Sequence, residues 1–279
     1  MARFVRLWPL HVLVLLALLA FGTARLALSA FAGVATSPGP FYGWTADGFV
    51  ANLFLVQVIR EDWTWNPPAW SISTELAAYA FFPLLFLRGH SPRLVAVLGI
   101  AGIAGVHALD VAQQLASFPG MVGRCVCEFL VGVAVQAFAG RLQGLPRRGA
   151  GLLQALAFAA SVAAIALHAP HAAIVSCFAV LVASLAADRG IVADILARDP
   201  MHWLGRISYS LYLTHWAIIL VASSFLEFVE RRLPGARAAI DVAALVAIPV
   251  AVLAISAASH RLVETRLRLA LLRRIAGAR

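Results

Sequence analysis

Apolar residues gather into eight long runs along this chain, and most of the charged residues lie between the runs. A bilayer core of about 30 Å takes about 20 apolar residues in helical form, and backbone groups surrounded by lipid must be hydrogen-bonded within their own segment. The pattern therefore predicts an all-α, polytopic integral membrane helix bundle. We expect spanning helices at about 7–30, 70–87, 94–109, 121–139, 149–167, 171–187, 207–226 and 238–258.

A ninth apolar run, at 49–59, is too short to cross a bilayer and suits an interfacial or re-entrant segment. It belongs to the long connection 31–69, which is rich in Pro, Gly and Trp. The aromatic side chains of this connection fit either a membrane-interface belt or a surface on which sugars stack. The sequence leaves both interpretations open.

The arginines indicate the orientation of the helices. If the N-terminus is cytoplasmic, sixteen of the 22 basic residues fall on the inner side and six on the outer side or within helices. Basic residues concentrate in cytoplasmic loops. This asymmetry predicts that both termini are cytoplasmic and that 31–69 is an outer-face loop, with 49–59 not counted as a crossing.

Composition agrees with a membrane protein and excludes several other classes. The chain is 62% hydrophobic and 13% charged, far from the balance of a soluble domain. Its +9 charge would suggest nucleic acid in a soluble protein, but the inner loops account for it, so we expect no nucleic-acid partner. The histidines are too scattered to predict a metal site. We expect one membrane domain over 1–279.

Arg3 and Arg6 stand just before the first span, three residues apart on one helical face. One interpretation is a positive-inside anchor. The other is a clamp for a phosphate-bearing ligand that arrives from the cytoplasm, since guanidinium groups bind phosphate in a bidentate manner.

The segment Trp-Ser-Ile-Ser-Thr-Glu, residues 70–75, opens the second span at its outer end. Ser71 or Ser73 suits a helix cap, and Glu75 suits the first turn of a helix, where the dipole favours a carboxylate. A helix start does not itself require this combination, so a functional role is the alternative.

Two further polar clusters lie inside predicted spans, where polar groups are costly. Arg124 and Glu128 are four residues apart, which indicates an ion pair that braces packing. In the segment 204–216, Ser208, Tyr212 and His215 share one helical face. His215 is either a hydrogen-bonded packing residue or part of a cavity lining.

In this order, the clusters resemble the membrane acyltransferase-3 family of bacterial envelope O-acyltransferases. Three segments match its motifs: R-x-x-R at 3–6, W-S-x-x-x-E at 70–75, and L-G-x-I-S-Y-S-L-Y-L-x-H at 204–215. Weaker similarities lie at Arg124-x-x-x-Glu128 and at the terminal Glu264.

The resemblance implies an enzyme of the bacterial inner membrane that moves an acyl group, commonly acetyl, from acyl-CoA to a hydroxyl of a carbohydrate or other envelope acceptor. It implies no bound cofactor, since acyl-CoA is a substrate, and its partners are the bilayer, acyl-CoA and the acceptor. The implied residues are Arg3 and Arg6 for acyl-CoA, Glu75 and His215 for catalysis, and Trp70, Ser73 and Tyr212 on the acceptor side.

The family pattern has about ten helices, and its first two carry a histidine proposed as the catalytic base. The present sequence matches from the third helix onward, so we expect it to be N-terminally incomplete. The alternative function is therefore a catalytically impaired remnant, or a non-enzymatic membrane protein for binding or assembly. A secondary transporter is disfavoured, because the sequence contains no internal repeat and no paired broken helices.

Overall fold

The computed structural model describes residues 2–32, 44–60, 65–86, 91–115 and 117–277. Its side chains are described over the same ranges except at 2–6, 32, 60, 81–86, 92, 234, 271–272 and 275–277. These ranges contain helices and no strand, so the predicted all-α class is confirmed for them.

Eleven α-helices and one π-helix make up the described chain. In order they are α1 (Ala2–Ala32), α2 (Ala46–Leu53), α3 (Trp70–Phe86), α4 (Pro92–Val111), α5 (Phe118–Ala139), α6 (Arg147–Ala166), α7 (His171–Leu185), α8 (Ile191–Leu196), α9 (Asp199–Arg232), α10 (Arg237–Ser259), the π-helix His260–Leu267 and α11 (Arg268–Gly277). Short 3₁₀ turns lie at Gln57–Arg60, Pro67–Ala69, Gly140–Leu142 and Pro234–Ala236.

Each of the eight predicted runs coincides with a helix. Six stretches of the described chain are long and apolar enough to cross a membrane, namely Leu7–Phe31, Arg93–Val111, Phe118–Leu142, Arg147–Ala166, Asp199–Arg232 and Arg237–Ala270. The other two predicted spans, α3 and α7, are shorter, with 17 and 15 residues. A multi-pass membrane bundle is thus supported, while the count of eight and the side of the termini stay predictions.

The outer surfaces of these helices suit a hydrocarbon environment. Large apolar side chains are widely exposed, among them Ile100 at 71% and Leu245 at 75%. In water such surfaces would form aggregation-prone patches. Lipid tails are as apolar as leucine, so the same surfaces are at no disadvantage in a bilayer.

The chain divides into two compact units. The first comprises Met1–Ser73 with Trp203–Arg279, and the second comprises Thr74–His202. The prediction of one membrane domain over 1–279 stays a prediction.

The described parts of the connection, 44–60 and 65–69, belong to the first unit and are only partly helical. The apolar run 49–59 is broken at Leu55, whose φ is +59°, so α2 ends and a 3₁₀ turn follows. Three side-chain amides of this connection donate to backbone carbonyls: Asn52 to Gly48 (2.9 Å), Gln57 to Ala69 (3.0 Å) and Asn66 to Leu213 (2.9 Å). All three amide residues are buried. These contacts hold the connection within the first unit, and the interfacial or re-entrant position of 49–59 stays a prediction.

The aromatic residues of this connection are partly used within the protein. Trp65 is 5% exposed, stacks on Trp44 at 4.4 Å between ring centroids and packs edge-on against Phe49. Its indole N–H donates to the Thr45 carbonyl at 3.2 Å. Trp65 is therefore a core residue rather than an open stacking surface. Three other aromatic residues of the connection 31–69, to which both sequence interpretations apply, lie outside the described residues: Phe41, Tyr42 and Trp63.

In the second unit, the buried side chain of Gln154 joins α6 to the connection that follows α7. Its amide nitrogen donates to the carbonyls of Ser184 (3.3 Å) and Arg189 (2.9 Å). Its amide oxygen accepts from the backbone N–H groups of Val192 (3.2 Å) and Ala193 (3.3 Å) at the start of α8. One fully buried amide thus contacts four backbone groups, among them two N–H groups in the first turn of α8 that have no partner within that helix.

Candidate functional site

His215 lies on α9 in the first unit and is held by its own helix. Its Nδ1 is 2.6 Å from the carbonyl oxygen of Tyr212 and 3.2 Å from that of Leu211. A carbonyl oxygen only accepts hydrogen bonds, so Nδ1 carries the hydrogen. In the neutral ring this leaves the lone pair on Nε2, so Nε2 of the half-buried side chain is the nitrogen that can accept a proton.

Tyr212 lies beside His215 and connects α9 to the start of α3. The two rings are tilted, with centroids 6.0 Å apart. The Tyr212 hydroxyl is 2.9 Å from Oγ of Ser71, and Ser71 Oγ donates to the carbonyl of Pro68 at 3.2 Å. Because Ser71 has one hydroxyl hydrogen, the Tyr212 hydroxyl is the donor in their mutual bond. We name Ser71, Tyr212 and His215 the tyrosine–histidine face.

The opposite side of α9 carries a buried polar contact with the last helices. Ser210 Oγ donates to Oε1 of Glu264 at 2.5 Å, and His260 Nδ1 is 3.3 Å from the same oxygen. One turn along α9, the Thr214 hydroxyl is 3.0 Å from the Ser256 hydroxyl. At 100° per residue, Ser210 points about 140–160° away from Tyr212 and His215, and Thr214 about 100–160° away. These bonds therefore fix the rotation of α9 and the direction in which His215 faces.

Sequence reasoning did not find this buried contact as part of a site. Glu264 is buried in the π-helix, with its side chain 4% exposed, and π-helices are frequent at functional positions. The available signals were the spacing of Ser210 and Thr214, four residues apart, and an acidic residue in a long apolar run. Neither signal identifies the partner, which lies 54 residues away.

Trp70 and Ser73, which were predicted on the acceptor side, lie in the first turn of α3. Trp70 is partly exposed, whereas Ser73 is 5% exposed. The Ser73 hydroxyl donates to the carbonyl of Leu55 at 2.5 Å, so it satisfies the backbone at the break in the 44–69 connection. The role of Trp70 and Ser73 toward an acceptor stays a prediction. Ser71, which was predicted only as a cap, is the residue that contacts Tyr212.

Glu75 lies in the second unit, where its carboxylate accepts a hydrogen bond from the Tyr79 hydroxyl, four residues along α3. The Tyr79 ring packs edge-on against Phe129, with centroids 5.6 Å apart. Glu75 is half-buried, so one carboxylate oxygen is held while the group keeps some exposure.

Arg3 and Arg6 lie in the first turns of α1, and their side chains are outside the described residues. Hydrogen bonds join α1, the helix that carries both arginines, to other parts of the first unit. The indole of Trp8 donates to the Leu53 carbonyl at 3.0 Å, and the Tyr209 hydroxyl donates to the Leu7 carbonyl at 2.7 Å. The buried His11 contacts the Asn52 carbonyl through Nε2 at 2.7 Å.

Arg124 and Glu128 form the predicted ion pair on α5, with Nε and Oε1 3.4 Å apart. The two side chains are 24% and 39% exposed, and both lie in the second unit. The pair is therefore confirmed.

These features define a multi-pass helical membrane protein with a polar face on α9. A comparison with family models matches residues 1–260 to a family described as an acyltransferase domain. The match covers most of the chain, which therefore belongs to the acyltransferase-3 family of membrane acyltransferases. No curated protein and no solved structure matches the chain.

Proposed function

We propose that this protein is an O-acyltransferase of the bacterial inner membrane that moves an acyl group, acetyl in the first instance, from acyl-CoA to a hydroxyl of an envelope carbohydrate or glycolipid. The family supports an acyltransferase in general. The proposal of transfer to a hydroxyl rests on the geometry of His215. Its Nδ1 is hydrogen-bonded to its own helix, so Nε2 is the basic nitrogen.

The reaction needs a base because a sugar hydroxyl is a weak nucleophile. In the proposed step, His215 Nε2 accepts the hydroxyl proton while the hydroxyl oxygen attacks the thioester carbonyl carbon. The carbon–sulfur bond then breaks, its electron pair leaves on sulfur, and the proton passes from Nε2 to the CoA sulfur. An ester and a thiol form with no net change in protons.

The remaining residues are proposed to bind the two substrates. Arg3 and Arg6 would hold the CoA phosphates, since a guanidinium group matches phosphate oxygens with paired donors. Tyr212 and Trp70 would contact the acceptor, because aromatic side chains pair an apolar ring with a polar tip. Glu75, with one oxygen held by Tyr79, would accept a hydrogen bond from an acceptor hydroxyl. Ser73 is proposed to support this side through the Leu55 carbonyl.

A test of the base is His215→Asn, since the asparagine amide nitrogen can still donate to the helix carbonyl but nothing replaces Nε2. Inverted membrane vesicles are supplied with radiolabelled acetyl-CoA, and label in the polysaccharide and glycolipid fractions is counted. We expect a loss of about 10²–10⁴-fold, the usual contribution of a general base.

The matched control is His202→Asn, which changes an exposed histidine on the same helix. It should keep wild-type transfer at an equal amount of membrane-inserted protein. Full activity in His215→Asn would refute His215 as the base. Absence of transfer and of acetyl-CoA hydrolysis by the wild-type chain would favour the non-enzymatic alternative.

The phosphate role of the arginines has a separate signature. Arg3→Gln and Arg6→Gln should raise KM for acetyl-CoA more than they lower kcat, because a phosphate contact far from the reacting carbonyl contributes mainly uniform binding. An unchanged KM in both variants would contradict the proposed clamp.

A further inference from the structure

An open groove runs along the second unit between α4, α5 and α7, with a volume of about 570 Å³. Small residues form much of its surface, with Gly99 on α4, Ala134 on α5, and Ala179 and Ala183 on α7. The Ser176 hydroxyl, which also lines it, already donates to the Ala172 carbonyl at 2.7 Å. Along most of its length the groove therefore offers contact to an apolar chain and no free polar group.

The groove extends along about one leaflet of a bilayer. On α5 and the 3₁₀ turn after it, the lining runs from Val131 to Arg141, ten residues, which corresponds to about 15 Å at the helical rise. The hydrocarbon core is about 30 Å thick. All three helices contribute their half nearest the end of α5, which the arginine distribution predicts to be cytoplasmic.

Arg141 lies at the end of the groove, where the membrane interface is expected. Its guanidinium carbon is 4.4 Å from the centroid of the Phe138 ring, and the residue is exposed. Among the side chains that the structure describes, no carboxylate forms an ion pair with it. A cation at the interface end of an apolar, leaflet-long groove has the charge and position that a lipid phosphate requires.

We propose that this groove is a binding site for one anionic phospholipid, with an acyl chain along the small residues of α4, α5 and α7 and the phosphate on Arg141. The guanidinium group supplies paired donors to the phosphate oxygens, and its stacking on Phe138 holds it at the end of the groove. This site shares no residue with the tyrosine–histidine face, because every residue that forms it lies in the second unit.

The test is native mass spectrometry of the full chain, purified in mild detergent and equilibrated with equal amounts of phosphatidylglycerol and phosphatidylcholine. We expect the wild type to retain one phosphatidylglycerol. Arg141→Gln should lower that retention about fivefold, the effect of one basic residue at a membrane surface, and leave phosphatidylcholine unchanged. Arg148→Gln, which removes another exposed arginine near the same end of the helices, should change neither lipid.

A second pair of variants tests the acyl chain. Ala179→Phe fills the groove and should abolish retention of phosphatidylglycerol, whereas Ala173→Phe places the same ring on an exposed position of α7 and should not. Equal losses in Arg141→Gln and Arg148→Gln would overturn the proposal, as would wild-type retention in Ala179→Phe. Preferential capture of added palmitoyl-CoA over phosphatidylglycerol would also overturn it, since the groove would then hold an acyl donor.

Discussion

The close packing of α4 against α5 gives a sharp prediction about stability. Gly99, Gly102 and Gly105 recur every three residues on the face of α4 that contacts α5. A Cβ atom added at Gly102 would lie 2.5 Å from the backbone oxygen of Cys127 and 3.1 Å from a methyl group of Val131. We expect Gly102→Ala to force the two helices apart.

The size of the effect follows from this distance. Ordinary contact begins at 3.4 Å, so the added methyl group is about 0.9 Å too close to a backbone atom that cannot rotate away. Overpacking of this kind costs about 1–3 kcal/mol. Alanine is favoured over glycine within a helix by about 1 kcal/mol, and this gain partly offsets the cost of overpacking when Gly102→Ala is compared with the wild type. A control variant with the same gain and no overpacking is therefore needed.

Gly132→Ala supplies the correction, since Gly132 also lies within a helix, α5, but a Cβ atom there meets nothing within 4 Å. The propensity gain cancels between the two variants. We therefore expect Gly102→Ala to be less stable than Gly132→Ala by about 1–3 kcal/mol, a factor of about 5–150 in the unfolding equilibrium.

The measurement is reversible unfolding of the detergent-solubilised protein by added sodium dodecyl sulfate, followed by circular dichroism. Equal unfolding midpoints for the two variants, with equal slopes, would refute the reasoning. That result would mean that the glycines of α4 do not determine the distance between α4 and α5.

Two further predictions concern hydrogen bonds. Gln154→Leu removes four hydrogen bonds to the backbone and leaves the N–H groups of Val192 and Ala193 without their partner, so it should lower the unfolding free energy by about 2–4 kcal/mol in the same assay. Gln143→Leu, at an exposed position, should change it by less than about 0.5 kcal/mol. Ser71→Ala and Tyr212→Phe remove one shared bond, so a double-mutant cycle should give a coupling of about 0.5–1.5 kcal/mol, and strict additivity would contradict the contact.

The helices could be predicted from the sequence because long apolar runs in a membrane protein leave few alternatives. Their ends were predicted less well. The prediction of 207–226 covers only the apolar middle of α9, which begins at Asp199 and ends at Arg232. The additional turns carry all the charged residues of α9, so hydropathy does not detect them, although their backbone continues the helix.

The candidate site, like the helices, could be predicted only in part. A shared face for Tyr212 and His215 follows from helical periodicity, and the structure confirms that the two residues are neighbours. The Ser71 contact joins α9 to α3, and the Glu264 contact joins α9 to the π-helix. Periodicity describes one helix at a time, so it cannot find partners on another helix.

The contact of Asn66 with the Leu213 carbonyl has a consequence for biogenesis. The ribosome releases residue 66 long before residue 213. The Asn66 amide therefore lacks its carbonyl partner until α9 has been synthesised. The final conformation of the 44–69 connection is therefore reached late, after most of the chain has entered the membrane. Chains arrested before α9 should expose this connection to protease, and chains arrested after α9 should protect it.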